Sequence, residues 1–237
     1  MDKPESIIEA VFDNSTTEAK TIMAETLGKE RIPSPTHYRN LKTGELYSYI
    51  AGGIAWPGKV SKGHEDPLPG FAVVVSIEKT DRPEPAFMVM EDVEESNVEA
   101  LMRECLRLRY KYGFKPDGEV MNGWFGDPEP YRSVVSGINK ALEKNKEGIF
   151  FIRGMPDLHN SEDFNFFARR VLSVLKTDES GKKRLSIGNN DRLRNRIQDP
   201  IHGAVAIKAL GYVIHALLYL RPWEIPIDGE SSSYIKF

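Results

Sequence analysis

The chain has 237 residues, of which 40% are hydrophobic and 28% are charged, and its formal net charge at pH 7 is -3. These values are typical of a folded globular protein and exclude both wholesale disorder and a fibrous repeat. The negative net charge also excludes a protein that coats nucleic acid through overall charge alone, although it is compatible with a local basic patch.

The sequence favours a reducing, cytoplasmic compartment and predicts no membrane partner. Cys105 is the single cysteine, which excludes a disulfide within the chain. The first ten residues have no basic stretch leading into an apolar core, so no secretory signal is expected. The longest apolar stretch, residues 204–220, contains Lys208 and His215 and is shorter than the roughly 20 residues of a membrane span. It predicts a buried helix.

The first part of the chain predicts a helical arm followed by strands. Residues 1–30 carry apolar side chains at three- and four-residue spacing, so residues 1–44 are predicted to form an N-terminal helical arm. Residues 45–222 are assigned to the main domain and residues 223–237 to a C-terminal tail. Runs rich in β-branched and aromatic residues predict the first three strands of that domain at residues 45–56, 71–79 and 86–91.

Helices and short strands alternate from residue 97 onward. Helices are predicted at residues 97–112, 134–142 and 163–175, and from Asp199 into the long apolar stretch. The strands between them include Trp124 and Phe125, then residues 149–154, then residues 184–187. A strand, a helix and a strand in succession introduce parallel pairing. The predicted fold class is therefore α/β, a mixed sheet whose first three strands are antiparallel and whose later strands are parallel, with helices on both faces.

Carboxylates are concentrated at the predicted ends of strands and helices. Glu91 and Asp92 follow the third predicted strand, Asp127 follows the fourth, and Asp199 opens the last predicted helix. Two-metal phosphodiester cleavage needs shared carboxylates that hold two Mg²⁺ or Mn²⁺ ions about 3.5–4 Å apart, and the ends of neighbouring strands converge in space. A structural interpretation stays open, since Asp127 and Asp199 each precede a proline, a pair typical of a helix start.

Three segments of the chain are similar to motifs of a known family. Gly-Ile-Ala-Trp-Pro at residues 53–57 ends the first predicted strand and leads into the alanine- and valine-rich residues 71–75. Trp-Phe-Gly-Asp at residues 124–127 ends the fourth strand, and residues 198–204 surround the aspartate at the last helix. With this order of elements, roughly residues 45–220 resemble the ribonuclease H-like nuclease domain of the large terminase of tailed bacteriophages.

The resemblance implies a metal-dependent endonuclease that cuts double-stranded DNA during genome packaging, in the bacterial cell or the assembling virion and alongside other packaging proteins. It also implies that Asp127 and Asp199 ligate two Mg²⁺ or Mn²⁺ ions and that water attacks the phosphodiester. Ala55 departs from the family, because it stands where the first metal-bridging aspartate is expected and alanine has no ligand atom.

The alanine at position 55 leaves three hypotheses open. In the first, another group replaces the missing ligand, and His64, Glu65 and Asp66 lie in the insert between the first two strands. His202 lies one helical turn from Asp199, so it is either a further ligand of the same metal or simply a polar neighbour at a helix start. In the second, activity is lost, naturally or by an engineered change, and the chain is a catalytically silent DNA-binding or packaging-assembly protein on the same fold. In the third, the chain is an unrelated α/β protein whose aspartate-proline pairs only start helices.

Basic residues are concentrated shortly before Asp199. Residues 181–196 contain six basic residues and one acidic residue, and they are predicted to lie on a short strand and the loop after it. A DNA backbone that approached the carboxylates would meet this patch, and phosphate contacts give affinity without reading sequence. A solvated basic face that balances the acidic residues 91–104 explains the pattern equally well. The candidate DNA-binding residues are Lys182, Lys183, Arg184, Arg192, Arg194 and Arg196.

Overall fold

The structure is a computed structural model, and it describes twelve segments of the chain. They are residues 8–11, 37–58, 68–78, 86–112, 123–127, 132–144, 152–154, 168–169, 171–177, 181, 183–199 and 203–220. The predicted C-terminal tail and five candidate site residues, His64, Glu65, Asp66, Lys182 and His202, lie outside these segments.

Within the described segments the chain forms eight strands and four helices, and residues 171–175 are also helical. The strands are β1 (Ile8–Val11), β2 (His37–Asn40), β3 (Leu46–Ala55), β4 (Gly70–Glu78), β5 (Ala86–Glu95), β6 (Trp124–Gly126), β7 (Ile152–Gly154) and β8 (Leu185–Ser186). The helices are α1 (Val98–Lys111), α2 (Arg132–Lys144), α3 (Asp191–Gln198) and α4 (Gly203–Leu220).

All eight strands belong to one mixed sheet. Its path runs β1-β2-β3-β4-β5-β8, and β6 pairs with β3 while β7 pairs with β6. The β3, β4 and β5 strands are antiparallel neighbours, whereas β6 is parallel to β3, β7 is parallel to β6 and β8 is parallel to β5. The predicted mixed sheet, with antiparallel strands first and parallel strands later, is confirmed.

Helices cover both faces of the sheet, as predicted. Successive strand residues point to opposite faces, so Ala51 packs in one core with Leu210 of α4, whereas Ile50 packs in the other with Leu101 of α1. The long apolar stretch forms α4, whose described side chains are mostly buried. No single helix of the described segments is both long and apolar enough to cross a membrane; α3 and α4 together meet the length and hydropathy criteria, but they are bent by 117°.

The helical arm predicted at the N-terminus is wrong where the structure describes it. Residues Ile8–Val11 form strand β1, which pairs antiparallel with β2. The predicted boundary before residue 45 falls in the turn between β2 and β3, where the Gly44 amide donates to the Asn40 carbonyl at 2.8 Å and Gly44 has a φ of 75°. A short apolar run does not distinguish a helix from a strand by spacing alone, and pairing with β2 decides it here.

Gly53→Ala is expected to destabilise the fold, because a Cβ at this position would lie 2.1 Å from the Ala209 carbonyl oxygen of α4. The helix would have to move away from the sheet, and such overpacking lowers the free energy of unfolding by about 1–3 kcal/mol. Urea unfolding measures it. The matched control is Gly137→Ala on the exposed surface of α2, where no atom lies within 4 Å and the free energy should rise by about 0.5–1 kcal/mol. Equal effects of the two substitutions would contradict the close approach of α4.

Candidate functional site

The carboxyl ends of β3, β5 and β6 meet at one edge of the sheet. Across this edge Glu94 of β5 pairs with Phe71 of β4, which in turn pairs with Ala55 of β3. On the other side of β3, Gly53 is level with Phe125, so the same parallel register places Asp127 level with Ala55. Neighbouring strands are about 4.8 Å apart, so these four positions form one row across this end of the sheet. We call this row, together with Asp199, the carboxyl edge.

Ala55 is part of the apolar core beneath the carboxyl edge. Its exposure is 4%, and it belongs to the buried cluster that contains Phe71 and the inner side of α4. A methyl group offers no atom to a cation. The position that the resemblance assigns to a metal-bridging aspartate therefore contributes packing alone.

Trp56 joins the end of β3 to the end of β6. Its indole Nε1 donates a hydrogen bond to the backbone carbonyl of Asp127, and the ring is buried. This contact fixes the backbone on which the Asp127 carboxylate is carried. Sequence reasoning missed Trp56 as a site residue, because its place directly before the Pro/Gly-rich insert at residues 57–70 gave no signal of a partner so distant along the chain.

The structure describes the aspartates of the two aspartate-proline pairs, but residues 128–131 and 200–202 directly after them lie outside the described segments. The described part of helix α2 begins at Arg132, five residues after Asp127, and that of the terminal helix α4 begins at Gly203, four residues after Asp199. Asp199 is also the C-cap of α3, and its carbonyl accepts the Gly203 amide at 2.9 Å. The Gly203 amide thus donates to the carbonyl four residues earlier, and Asp199 has the extended backbone typical of a helix N-cap (φ -78°, ψ 119°), which agrees with the prediction that Asp199 opens the terminal helix. The residues of α3 were predicted to form a loop, but they form a helix. This helix is mostly polar, and its one fully buried residue is Leu193.

Arg196 binds two carboxylates at the carboxyl edge. Its guanidinium makes a bidentate contact with Glu94, at 2.9 Å from Nε and 2.6 Å from Nη2, and its Nη1 lies 3.1 Å from Asp199. Hydrogen bonding to Glu94 raises the pKa of Arg196 above its usual value; burial alone lowers that pKa, but the charge of Glu94 and the contact with Asp199 add to the increase. The Asp199 carboxylate is thereby directed towards β5.

Asp92 caps α3 from a distant strand. Its side chain is 5% exposed, accepts the Leu193 amide at 3.0 Å and lies 3.9 Å from Arg192. The N-cap residue Asn190 makes no capping bond and donates instead to the carbonyls of Val89 and Ile187. Burial raises the pKa of Asp92 above its usual value, and the amide and Arg192 offset only part of this effect.

Glu91 faces the opposite side of the sheet from Asp92. Both lie inside β5, which continues to Glu95, so the prediction that they follow the third strand is wrong. Glu91 accepts hydrogen bonds from Arg107, Lys111 and Tyr112, the last at 2.9 Å. Burial by itself raises the pKa of Glu91, but these three donors outweigh it and hold that pKa below its usual value. The two adjacent carboxylates therefore cannot share one ligand.

The predicted basic patch lies partly on a helix and is partly neutralised. Arg192, Arg194 and Arg196 belong to α3, not to a loop as predicted. Each has a carboxylate neighbour, which for Arg194 is Asp191 at 2.9 Å. Arg192 and Arg194 are still about half exposed, at 52% and 50%. Ahead of them along the chain, Lys183 is exposed and Arg184 is half-buried.

The described residues contain no group of three or more His, Cys, Asp or Glu side chains suited to holding a metal ion. The carboxyl edge brings Glu94 and Asp199 onto one arginine, and its register places Asp127 beside the apolar Ala55. The replacement ligands predicted from the sequence, His64, Glu65, Asp66 and His202, lie in segments that the structure does not describe.

Comparison with known proteins found no match for the chain. No protein-family model matches it, and neither does any curated protein or solved structure.

Asp92→Asn and Glu91→Gln are expected to change the pH dependence of stability in opposite directions. Because the pKa of Asp92 is raised in the folded state, its protonation stabilises the fold; this contribution to the free energy of unfolding is full below about pH 4 and is lost as the pH rises through the folded pKa. The free energy of unfolding of wild type should therefore rise relative to that of Asp92→Asn as the pH falls. Because the pKa of Glu91 is lowered in the folded state, its ionised form stabilises the fold; this contribution to the free energy of unfolding is present above about pH 4.5 and is lost as the pH falls through the folded pKa. The difference in free energy of unfolding between wild type and Glu91→Gln should therefore shrink as the pH falls. Urea unfolding from about pH 7 to about pH 3 measures both differences. Parallel pH profiles for the two variants would contradict the opposite surroundings of these neighbours.

Proposed function

We propose that this chain is a ribonuclease H-like domain related to the nuclease domain of the large terminase, and that it acts on double-stranded DNA during genome packaging in the cytoplasm. The observation that carries the proposal is the central strand order β5-β4-β3-β6-β7, three antiparallel strands followed by two that are parallel to β3. This is the sheet that the sequence resemblance implies. It also puts Ala55 and the end of β6 side by side, as a site built on these strand ends requires.

We infer that the domain binds DNA without cleaving it. Two-metal hydrolysis needs carboxylates that bridge two ions, and the described residues do not fit that demand. Ala55 supplies no oxygen, and Arg196 already neutralises Glu94 and Asp199. A divalent ion would have to displace a bidentate guanidinium contact before it reached either carboxylate. A catalytically silent DNA-binding or packaging-assembly role is the function that this chemistry favours.

A metal-dependent endonuclease is the second candidate. It is favoured by the position of Asp127, which directly follows β6 and is level with Ala55 at the carboxyl edge. In this version Asp127 is a ligand of Mg²⁺ or Mn²⁺, and a group such as Glu65, Asp66 or His202 takes the place of the missing aspartate. The metal would supply an activated water and stabilise the leaving oxygen. Ala55 separates the two candidates.

DNA binding is expected to depend on the exposed arginines of α3. Arg192→Gln combined with Arg194→Gln removes two half-exposed cations, so the affinity for duplex DNA should fall and the slope of log K against log salt should flatten by about 2. Fluorescence anisotropy at several salt concentrations measures both quantities. The control is Arg103→Gln on α1, which removes an exposed arginine from the opposite side of the sheet. An equal loss of DNA affinity in the Arg103→Gln control would mean that binding depends on overall charge rather than on α3. Unchanged affinity in the double variant would show that α3 does not contact DNA.

Cleavage is expected to be absent in wild type and to depend on a carboxylate at position 55. Supercoiled plasmid incubated with the wild-type protein and Mn²⁺ should stay intact, whereas Ala55→Asp adds an anionic ligand beside Asp127 and should strengthen Mn²⁺ binding and start nicking. Agarose gels and Mn²⁺ titration measure the two effects.

Asp127→Asn in the Ala55→Asp background should abolish the nicking while leaving the melting temperature nearly unchanged, because asparagine keeps the size of aspartate and its ability to cap a helix. Nicking by wild type that Asp127→Asn abolishes would establish the endonuclease candidate instead. An intact Ala55→Asp variant with neither Mn²⁺ binding nor nicking would show that the site lies elsewhere.

A further inference from the structure

Helix α3 and strand β5 carry opposite charges at matching intervals. Asp92 and Glu94 are two residues apart on the strand, a separation of about 6.6 Å, and they point to the same face. Arg192 and Arg196 are four residues apart on the helix, a rise of about 6 Å, and they also share a face. Because the two intervals agree, Arg192 can lie near Asp92 while Arg196 contacts Glu94.

Arg196 also joins two parts of the chain that are distant in sequence. Glu94 lies on β5, with a side chain that is 14% exposed, and Asp199 follows α3 with a side chain that is 25% exposed. One guanidinium contacts both carboxylates, at distances of 2.6 to 3.1 Å. Two anions that would otherwise repel each other at the carboxyl edge are held together by a cation of the chain itself.

We propose that Arg196 is an internal cation that takes the place of a divalent metal ion between Glu94 and Asp199. The inference rests on the proposed function in one respect: the carboxyl edge is the part of the sheet at which a related nuclease would hold its metal. Here a charged side chain performs the neutralisation, so docking of α3 on β5 is independent of metal. Arginine suits this role because its planar fork matches a carboxylate bidentately and it stays protonated at every physiological pH.

The physical consequence is a competition for the same oxygens. The Glu94 oxygens that accept from Arg196 are hard anionic ligands of the kind that Mg²⁺ and Mn²⁺ bind. While the guanidinium is present, a metal ion would have to displace it. Without the guanidinium, Glu94 and Asp199 lose the cation that they share, and a divalent cation can take its position between the two carboxylates.

The test is a manganese titration of Arg196→Gln, with Arg194→Gln as the matched control. Arg194 is on the same helix, but its pair with Asp191 is exposed, so its removal should not create a response to Mn²⁺. In Arg196→Gln, MnCl₂ at about ten times the dissociation constant should raise the melting temperature by about 3–5 °C. Loss of the free Mn²⁺ signal in electron paramagnetic resonance should accompany this rise. Wild type and Arg194→Gln should show neither effect, and adding Glu94→Gln to Arg196→Gln should abolish both.

Each outcome decides the proposal. A folded Arg196→Gln variant without a response to Mn²⁺, or a wild type with the same response, would overturn it. Where Arg196→Gln does not fold alone, refolding in MnCl₂ should restore its helical circular dichroism, and failure of Mn²⁺ to do so would also overturn it. DNA binding measured in EDTA tests the proposed function separately: its absence, together with the expected Mn²⁺ responses, would reject the DNA role and keep the role of Arg196.

Discussion

The fold depends on two adjacent glycines in the middle of β3. A Cβ at Gly52 would lie 2.3 Å from the ring of Trp124, and one at Gly53 would lie 2.1 Å from the carbonyl oxygen of Ala209. The missing side chains therefore let an indole pack against one face of the strand and let the backbone of α4 approach the other. Because α4 is held so close to the sheet and the Gly203 amide donates to the Asp199 carbonyl, Asp199 lies at the same edge at which β3, β5 and β6 end.

Charge and hydrogen bonding, rather than apolar area, orient α3 on that edge. The helix is short and mostly polar, and Leu193 is its buried anchor. Asp92 supplies the cap that Asn190 does not, and Glu94 holds Arg196 bidentately. Half-buried pairs with this geometry are less screened by solvent than the exposed pair of Arg194 and Asp191. The half-buried pairs therefore contribute to the orientation of α3, whereas the exposed pair does not.

These features together define the interactions at the carboxyl edge. The carboxyl edge keeps an acidic residue after β6 and another after α3, while Ala55 contributes packing and Arg196 contributes the positive charge. The same fold can carry different chemistry, because a functional site consists of a few side chains that can be replaced while the rest of the structure stays unchanged. We infer that the arginines left exposed on α3, and not a metal ion, are the part of this edge that meets DNA.

The sequence by itself determined the elements whose pattern is local: the valine-rich strand β4, its antiparallel neighbours β3 and β5, the helix α1 and the buried helix α4. It also indicated Asp127 at the end of a strand, because Trp124 and Phe125 form a short apolar run before it. Only the tertiary structure decided that Ile8–Val11 is a strand, that residues 191–198 are a helix, and that Glu91 and Asp92 face opposite sides of β5. Those outcomes depend on partners far away in the chain, such as β2 for β1 and Asp92 for α3. Local periodicity carries no information about such partners, so the arginine between Glu94 and Asp199 could not be predicted from spacing.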